Sequence, residues 1–206
     1  RLIEGPVALE DTQFTAKLDL AGLTAGEPVF YRVWFDDLAR PGLRSAPVTG
    51  HFRAAPTASH PLTFCWSGDV VGQGWGINPD FGGLRLYETM ARHHPDLFIH
   101  SGDMIYADGP LQPEVKLDDG SVWRNLVTPA KSKVAETLDE FRGNYAYNLL
   151  DTHARAFNSQ VPMVVQWDDH EVLNNWSPGT DLTVRPGYTG RSISLLAARA
   201  KRAMFE

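Results

Sequence analysis

The chain has 206 residues, 43% hydrophobic and 21% charged, with a formal net charge of -6 and an isoelectric point near 5.6. That is enough chain to bury a full core, and the composition excludes wholesale disorder. The acidic balance argues against a nucleic-acid-binding surface, which needs clustered Lys and Arg, and no apolar run reaches membrane-spanning length.

Residues 1–54 read as β-structure. Phe14-Thr15-Ala16-Lys17-Leu18-Asp19-Leu20 alternates apolar and polar residues, Val29 to Phe35 is rich in aromatic and branched residues, and a short strand follows from Val48 to Arg53. The small, proline-punctuated stretch 55–61 predicts a linker. From Leu62 the pattern changes. Leu62 to Ser67 is a short apolar run ending at Gly68-Asp69, and a glycine-rich loop, Gly72-Gln73-Gly74-Trp75-Gly76, follows it. Leu84, Tyr87, Met90 and Ala91 recur at helical spacing. A second apolar run, Asp96 to Ser101, ends at Gly102-Asp103. Thr128-Pro129 predicts the opening of a longer helix with a stripe of Val134, Leu138, Phe141, Tyr145 and Leu149. A third run, Val161 to Trp167, ends at Asp168-Asp169-His170-Glu171. Ile193 to Glu206 then predicts an amphipathic helix with Leu196, Ala200 and Ala203 on one face. Strand–helix–strand–helix–strand order predicts an α/β or α+β domain with a parallel or mixed sheet and covering helices. The lone cysteine, Cys65, allows neither an internal disulfide nor a cysteine metal cluster.

Open α/β sheets bind ligands at the carboxyl ends of their strands. Asp69, Asp103 and Asp169 each follow an apolar run at that position. Any one of them alone reads best as a turn former or helix cap. Three converging carboxylates would repel one another, and a pair of hard cations relieves this with oxygen ligands. Tyr106 and His170 add a further candidate ligand and acid group. Asp168 reads as a residue that orients His170 or a neighbouring loop. Arg142 and Arg155 could reach a phosphate but read better as helix-face ion pairs, His93-His94 as a solvated helix end, and Trp123, Trp167 and Trp176 as core or pocket wall.

Gly102-Asp103-Met104-Ile105-Tyr106-Ala107-Asp108, Trp167-Asp168-Asp169-His170-Glu171, Asn174-Asn175-Trp176, the Gly72–Gly76 loop and Lys133-Val134-Ala135-Glu136-Thr137 resemble the PhoD-type alkaline phosphatases/phosphodiesterases. These belong to the calcineurin-like metallophosphoesterases. The resemblance implies three segments: 1–54 as the last strands of an immunoglobulin- or fibronectin-like β-sandwich, 55–61 as linker, and 62–206 as the first part of a metallophosphoesterase domain, with further chain expected at both ends. It implies Asp69, Asp103, Tyr106 and Asp169 as metal ligands, with Asp103 bridging, and His170 with Asp169 as catalytic residues. The implied cofactor is a dinuclear site of Fe(III) with Ca(II). The implied activity is hydrolysis of phosphate mono- and diesters by a metal-activated hydroxide, extending to phospholipase D-like substrates. The partner is then a phosphate ester, and the location is secreted, periplasmic or cell-wall, with the export signal outside this sequence. The family's remaining ligands are expected downstream, so residues 1–206 alone are expected to be inactive. Two other classes fit parts of the pattern: a metal-independent carboxylate-pair hydrolase and a non-catalytic adhesion module.

Overall fold

A computed structural model describes all of the chain, Arg1–Glu206. Three short strands form a parallel sheet in the order β3-β4-β7: β3 (Phe64–Ser67), β4 (Leu97–His100) and β7 (Met163–Val165). Their register places Phe64 beside Leu97, Trp66 beside Ile99, and Ile99 beside Val164. Side chains alternate between sheet faces. One face therefore carries Cys65, Phe98 and Met163, and packs with Met90 of α1 (Arg85–Ala91), Phe157 of α3 (Thr152–Asn158) and Val161. Tyr87, Phe98 and Phe157 meet at ring distances of 5.4–6.4 Å, a tilted and edge-on packing favoured by aromatic quadrupoles. The opposite face carries Phe64, Trp66 and Val164, which stay 52%, 72% and 56% exposed.

The largest core lies beyond the carboxyl ends of these strands. It joins Ile105 and Ala107 from the segment after β4 and Val172 and Leu173 from the segment after β7. These pack with Phe141 of α2 (Leu138–Asn148) and with Ile193, Leu196, Ala200 and Ala203 of α4 (Ile193–Phe205). The loops that leave the sheet are thus themselves anchored in apolar packing. Leu196, Ala200 and Ala203 form the buried stripe that the periodicity of α4 predicts, and the Ser192 side chain caps the helix by accepting from the Leu195 amide.

Two expected elements differ. Phe14–Leu20 alternates but forms no strand; the chain makes a 3-10 turn at Glu10–Thr12, then turns through left-handed Gln13 and Phe14. Alternation alone supplies no partner for the backbone amides, and Leu18 and Leu20 remain exposed. The helix expected from Thr128-Pro129 starts ten residues later, at Leu138. Pro129 opens only a 3-10 turn. A complete capping box decides the start: Glu140 accepts from the Thr137 amide while the Thr137 hydroxyl accepts from the Glu140 amide. Val134 packs inward before the helix begins, and Leu149 at its end is exposed.

In residues 1–54, β1 (Pro28–Val33) and β2 (Val48–Arg53) pair antiparallel as a separate two-stranded sheet. It touches the rest of the chain through Ser159, whose carbonyl accepts from the His51 amide at 3.1 Å and the Tyr31 hydroxyl at 2.8 Å. A further hairpin, β5 (Glu114–Lys116) with β6 (Val122–Arg124), lies between β4 and α2.

Candidate metal centre

Two of the strands end on the same tripeptide, Ser67-Gly68-Asp69 after β3 and Ser101-Gly102-Asp103 after β4. The ladder runs on through it: the Ser101 amide donates to Ser67, the Asp69 amide to Gly102 and the Val70 amide to Asp103. Asp69 and Asp103 both take left-handed backbone, at φ 60° and 54°. Such strain in non-glycine residues is held only where the surroundings over-determine it. Gly102 is required twice: its φ is +99°, and a Cβ there would stand 2.4 Å from Cβ of Asp168. The missing side chain lets the segments after β4 and β7 approach closely.

Glu171 joins the same two segments from beneath. It is fully buried, and its two carboxylate oxygens accept from the Met104 amide at 2.7 Å and the Asp168 amide at 2.9 Å. Burial raises its pKa despite those bonds. The His170 amide in turn donates to Oδ1 of Asp103 at 3.1 Å.

The outcome is one cluster. Ligand atoms of Asp103, Asp169 and His170 all lie within 4.8 Å of one another. Asp69 stands outside that set but is attached to it through Tyr106, whose hydroxyl donates to Oδ2 of Asp69 at 2.9 Å. The Tyr106 ring stacks on His170 with centroids 4.1 Å apart. All five residues singled out in the sequence are therefore neighbours. Asp168 is not part of the cluster and does not hold His170. That contact belongs to Asp108, whose Oδ1 is 2.7 Å from His170 Nδ1 and whose Oδ2 accepts from the Asn174 amide. An ionised carboxylate can only accept, so the proton sits on Nδ1 and Nε2 is the nitrogen left for chemistry.

The electrostatics follow from crowding and burial. Burial raises the Asp103 pKa, and the charges of Asp168 and Asp169 push the same way against the His170 amide. Tyr106 is held far above its ordinary value by burial, then by its bond to Asp69 and the charges of Asp103 and Asp69. Burial pulls His170 down, but Asp108, with Asp103 and Asp169, more than offsets it, and the net shift is upward. Lys131 is buried beside the site. Its ammonium donates to the Tyr106 carbonyl at 2.9 Å and to Asn144 at 3.0 Å, and burial lowers its pKa to about 8.

Sequence reasoning passes over Asp108, Lys131 and the clamp made by Glu171. The repeated Ser-Gly-Asp is a signal that was there to read; nothing in a linear pattern announces a lysine turned inward. Arg142 is bound to Glu206 and Asp139, and Arg155 donates to the carbonyls of Leu149 and Leu150 at the end of α2. Neither is free for a phosphate. Trp167 and Trp176 pack against the main core.

Carboxylates, a phenol and an imidazole are thus gathered at the strand ends of a mixed α/β scaffold. A family model for PhoD-like phosphatases matches residues 64–206, and the chain belongs to that family. Alkaline phosphatase D of Bacillus subtilis (strain 168) is 31% identical over 127 residues, covering 62% of this chain and 20% of that protein. A solved structure of PhoD matches 96% of this chain and 34% of its own, at 26% identity and a TM-score of 0.68. The chain thus spans about a fifth of the curated relative and a third of the solved one.

Proposed function

We propose that the whole protein hydrolyses phosphate mono- and diesters at a dinuclear metal centre assembled on these strand ends, with phospholipase D-like diesters within its range. The observation that carries this reading is the convergence of Asp103, Asp169 and His170 within 4.8 Å, with Asp69 and Tyr106 bonded alongside. The donor set fits hard cations. Carboxylate and phenol oxygens are hard ligands, and no lysine or arginine pairs with Asp69, Asp103 or Asp169 to compensate their charge. Asp69, Asp103, Tyr106 and Asp169 would hold the metals, and Asp103 is the most buried carboxylate among them. Iron(III) with calcium agrees with a phenolate on one side and carboxylates on the other.

When bound, the metal pair supplies Lewis-acid polarisation of the phosphate and a more acidic water. The chain's residues do the rest. Asp108 fixes the His170 ring and favours its imidazolium form, which gives its Nε2 proton to the leaving alkoxide and keeps the one on Nδ1. The Asn175 amide donates to Oδ2 of Asp169 at 2.5 Å and keeps that carboxylate turned to the cluster. Lys131 holds the Tyr106 carbonyl and with it the loop from Tyr106 to Asp108.

Further ligands are expected from chain beyond residue 206. Residues 1–54 are read as the closing strands of a β-sandwich, supported by the separate β1–β2 pair and its exposed Phe30, Val33 and Val48. The family places such an enzyme outside the cytoplasm, and no helix here is long and apolar enough to cross a membrane. The test is hydrolysis of bis(p-nitrophenyl) phosphate by the intact protein before and after chelation. Loss on chelation and recovery with iron and calcium support the reading; undiminished turnover after complete metal removal overturns it and favours a carboxylate-pair hydrolase.

A further inference from the structure

Trp75, Phe81 and Trp123 form an aromatic cluster that neither the fold nor the metal centre needs. Trp75 meets Trp123 edge-on at 5.8 Å, and Phe81 meets it at 5.2 Å. Trp75 and Phe81 remain 43% and 55% exposed. Adjoining exposed aromatic rings commonly mark a binding surface.

The cluster is close to the metal centre through one short turn. Gly72 lies over the hydroxyl end of the Tyr106 ring, where a Cβ would come within 2.5–2.8 Å of three ring carbons. The Trp75 amide donates to the Gly72 carbonyl at 3.0 Å. A turn of that kind brings its first and fourth Cα within about 7 Å. The cluster is also held in place. The Asn125 carbonyl oxygen accepts from the Gly76 amide and from the Trp123 indole, while its amide nitrogen donates to Gly74 and Gln112. Asn125 therefore holds the Trp123 indole and the backbone on either side of Trp75, which removes part of the ordering cost of binding. Nearby charges are matched: Arg124 stands 3.5 Å from both Asp80 and Glu114, and Arg85 lies over the Phe81 ring. With Phe81 covered by Arg85, the exposed Trp75 ring is the surface left for stacking.

We propose that Trp75, with Phe81 and Trp123 behind it, is a subsite for a planar aromatic ring carried by the phosphate ester. This rests on the phosphoesterase reading and narrows its substrate class. A phosphate seated at Asp103 and Asp169 would lay its ring toward the Gly72–Gly76 loop, where a stacked contact favours rings over small alkyl groups.

The experiment titrates phenylphosphonate and methylphosphonate, neither of which turns over, into the intact, metal-replete protein by calorimetry. Phenylphosphonate should bind about fivefold to tenfold tighter, the scale of one stacked ring. Trp75→Ala should bring that ratio close to one with methylphosphonate affinity unchanged, and Trp75→Phe should keep most of it. Equal affinities in the native protein, or a ratio that survives Trp75→Ala, overturn the subsite. Binding of neither phosphonate overturns it too, and turnover of methyl p-nitrophenyl phosphate then shows whether the phosphate centre itself stands. Far-ultraviolet circular dichroism confirms that the Ala variant is folded; should it unfold, Trp75→Phe against Trp75→His gives the same comparison with a ring of reduced stacking area.

Discussion

The Tyr106 hydroxyl donates to Oδ2 of Asp69 across 2.9 Å, and this bond ties the loop after β4 to the loop after β3. It is an ordinary phenol–carboxylate hydrogen bond. With a cation between the loops, the same two oxygens would be neighbouring ligands and the phenol would lose its proton. Tyr106→Phe keeps the ring on His170 but deletes the oxygen. Its stability cost should be small, about 1 kcal/mol for one part-buried hydrogen bond. Activity of the intact protein should fall by roughly 10² or more, and a visible phenolate–iron(III) charge-transfer band should vanish. A Phe variant that keeps colour, iron and rate would make Tyr106 a packing residue.

Asp108 and His170 make a second prediction. Asp108→Asn preserves shape but lets an amide N–H face His170 Nδ1, which favours the wrong tautomer. The expected loss in kcat is about 10²–10⁴ with little change in KM. Steady-state kinetics on a phosphodiester check it; an unchanged kcat would remove His170 as the proton donor.

Glu171 is the clamp beneath the site, and Glu171→Gln replaces one of its two acceptor oxygens by a donor. One of the Met104 and Asp168 amides then faces another N–H group in a dry setting. That should destabilise the protein by about 1–3 kcal/mol and weaken metal retention, since the segments carrying Asp103 and Asp169 lose their tie. Denaturant unfolding and elemental analysis read the two effects separately. Retention of both stability and metal would reduce Glu171 to a bystander.

The pH dependence of stability should carry a signature of α2. Burial alone would raise Glu140, but Lys133 at 2.7 Å and the amides of Thr137 and Glu136 outweigh it and lower the pKa to about 2. A depressed carboxylate pKa means the unfolded chain takes up the proton first. The stabilisation is therefore fully present above about pH 4.5 and is lost as pH falls toward 2. Its size is at most on the order of 2 kcal/mol, because partial solvation of Lys133 screens the pair. Glu140→Gln should lower stability at pH 7 and flatten the acid limb of a stability–pH profile. An acid limb identical to that of the native protein would rule the pair out as a contributor.

Much of this architecture is legible in the sequence, for physical reasons that also explain the gaps. Short apolar runs ending in Gly-Asp after β3 and β4, and in Asp168-Asp169 after β7, read as parallel strands because one face of the sheet packs against α1 and α3 and the chain must turn sharply on leaving it. The stripe of α4 reads as a helix because one face packs into the main core. Phe14–Leu20 misleads because alternation reports a pattern and not the presence of a partner strand. Thr128-Pro129 misleads because a proline-led turn and a helix start look alike until the capping box at Thr137 and Glu140 is weighed against it. Asp108 is hidden for another reason. It lies five residues past Asp103, but it reaches His170, 62 residues further on, only because the Ala107 amide donates to the His170 carbonyl and lays the two loops together.

The most direct test of the central claim is metal content per chain in the intact protein and its Asp103→Asn variant, measured side by side by elemental analysis. A pair of metal ions, iron with calcium, is expected in the native protein, and loss of most of both in the variant, because Asp103 is the most buried carboxylate of the cluster it forms with Asp169 and His170. Equal metal content in the two proteins, or none in a native protein that still hydrolyses phosphate esters, would contradict it.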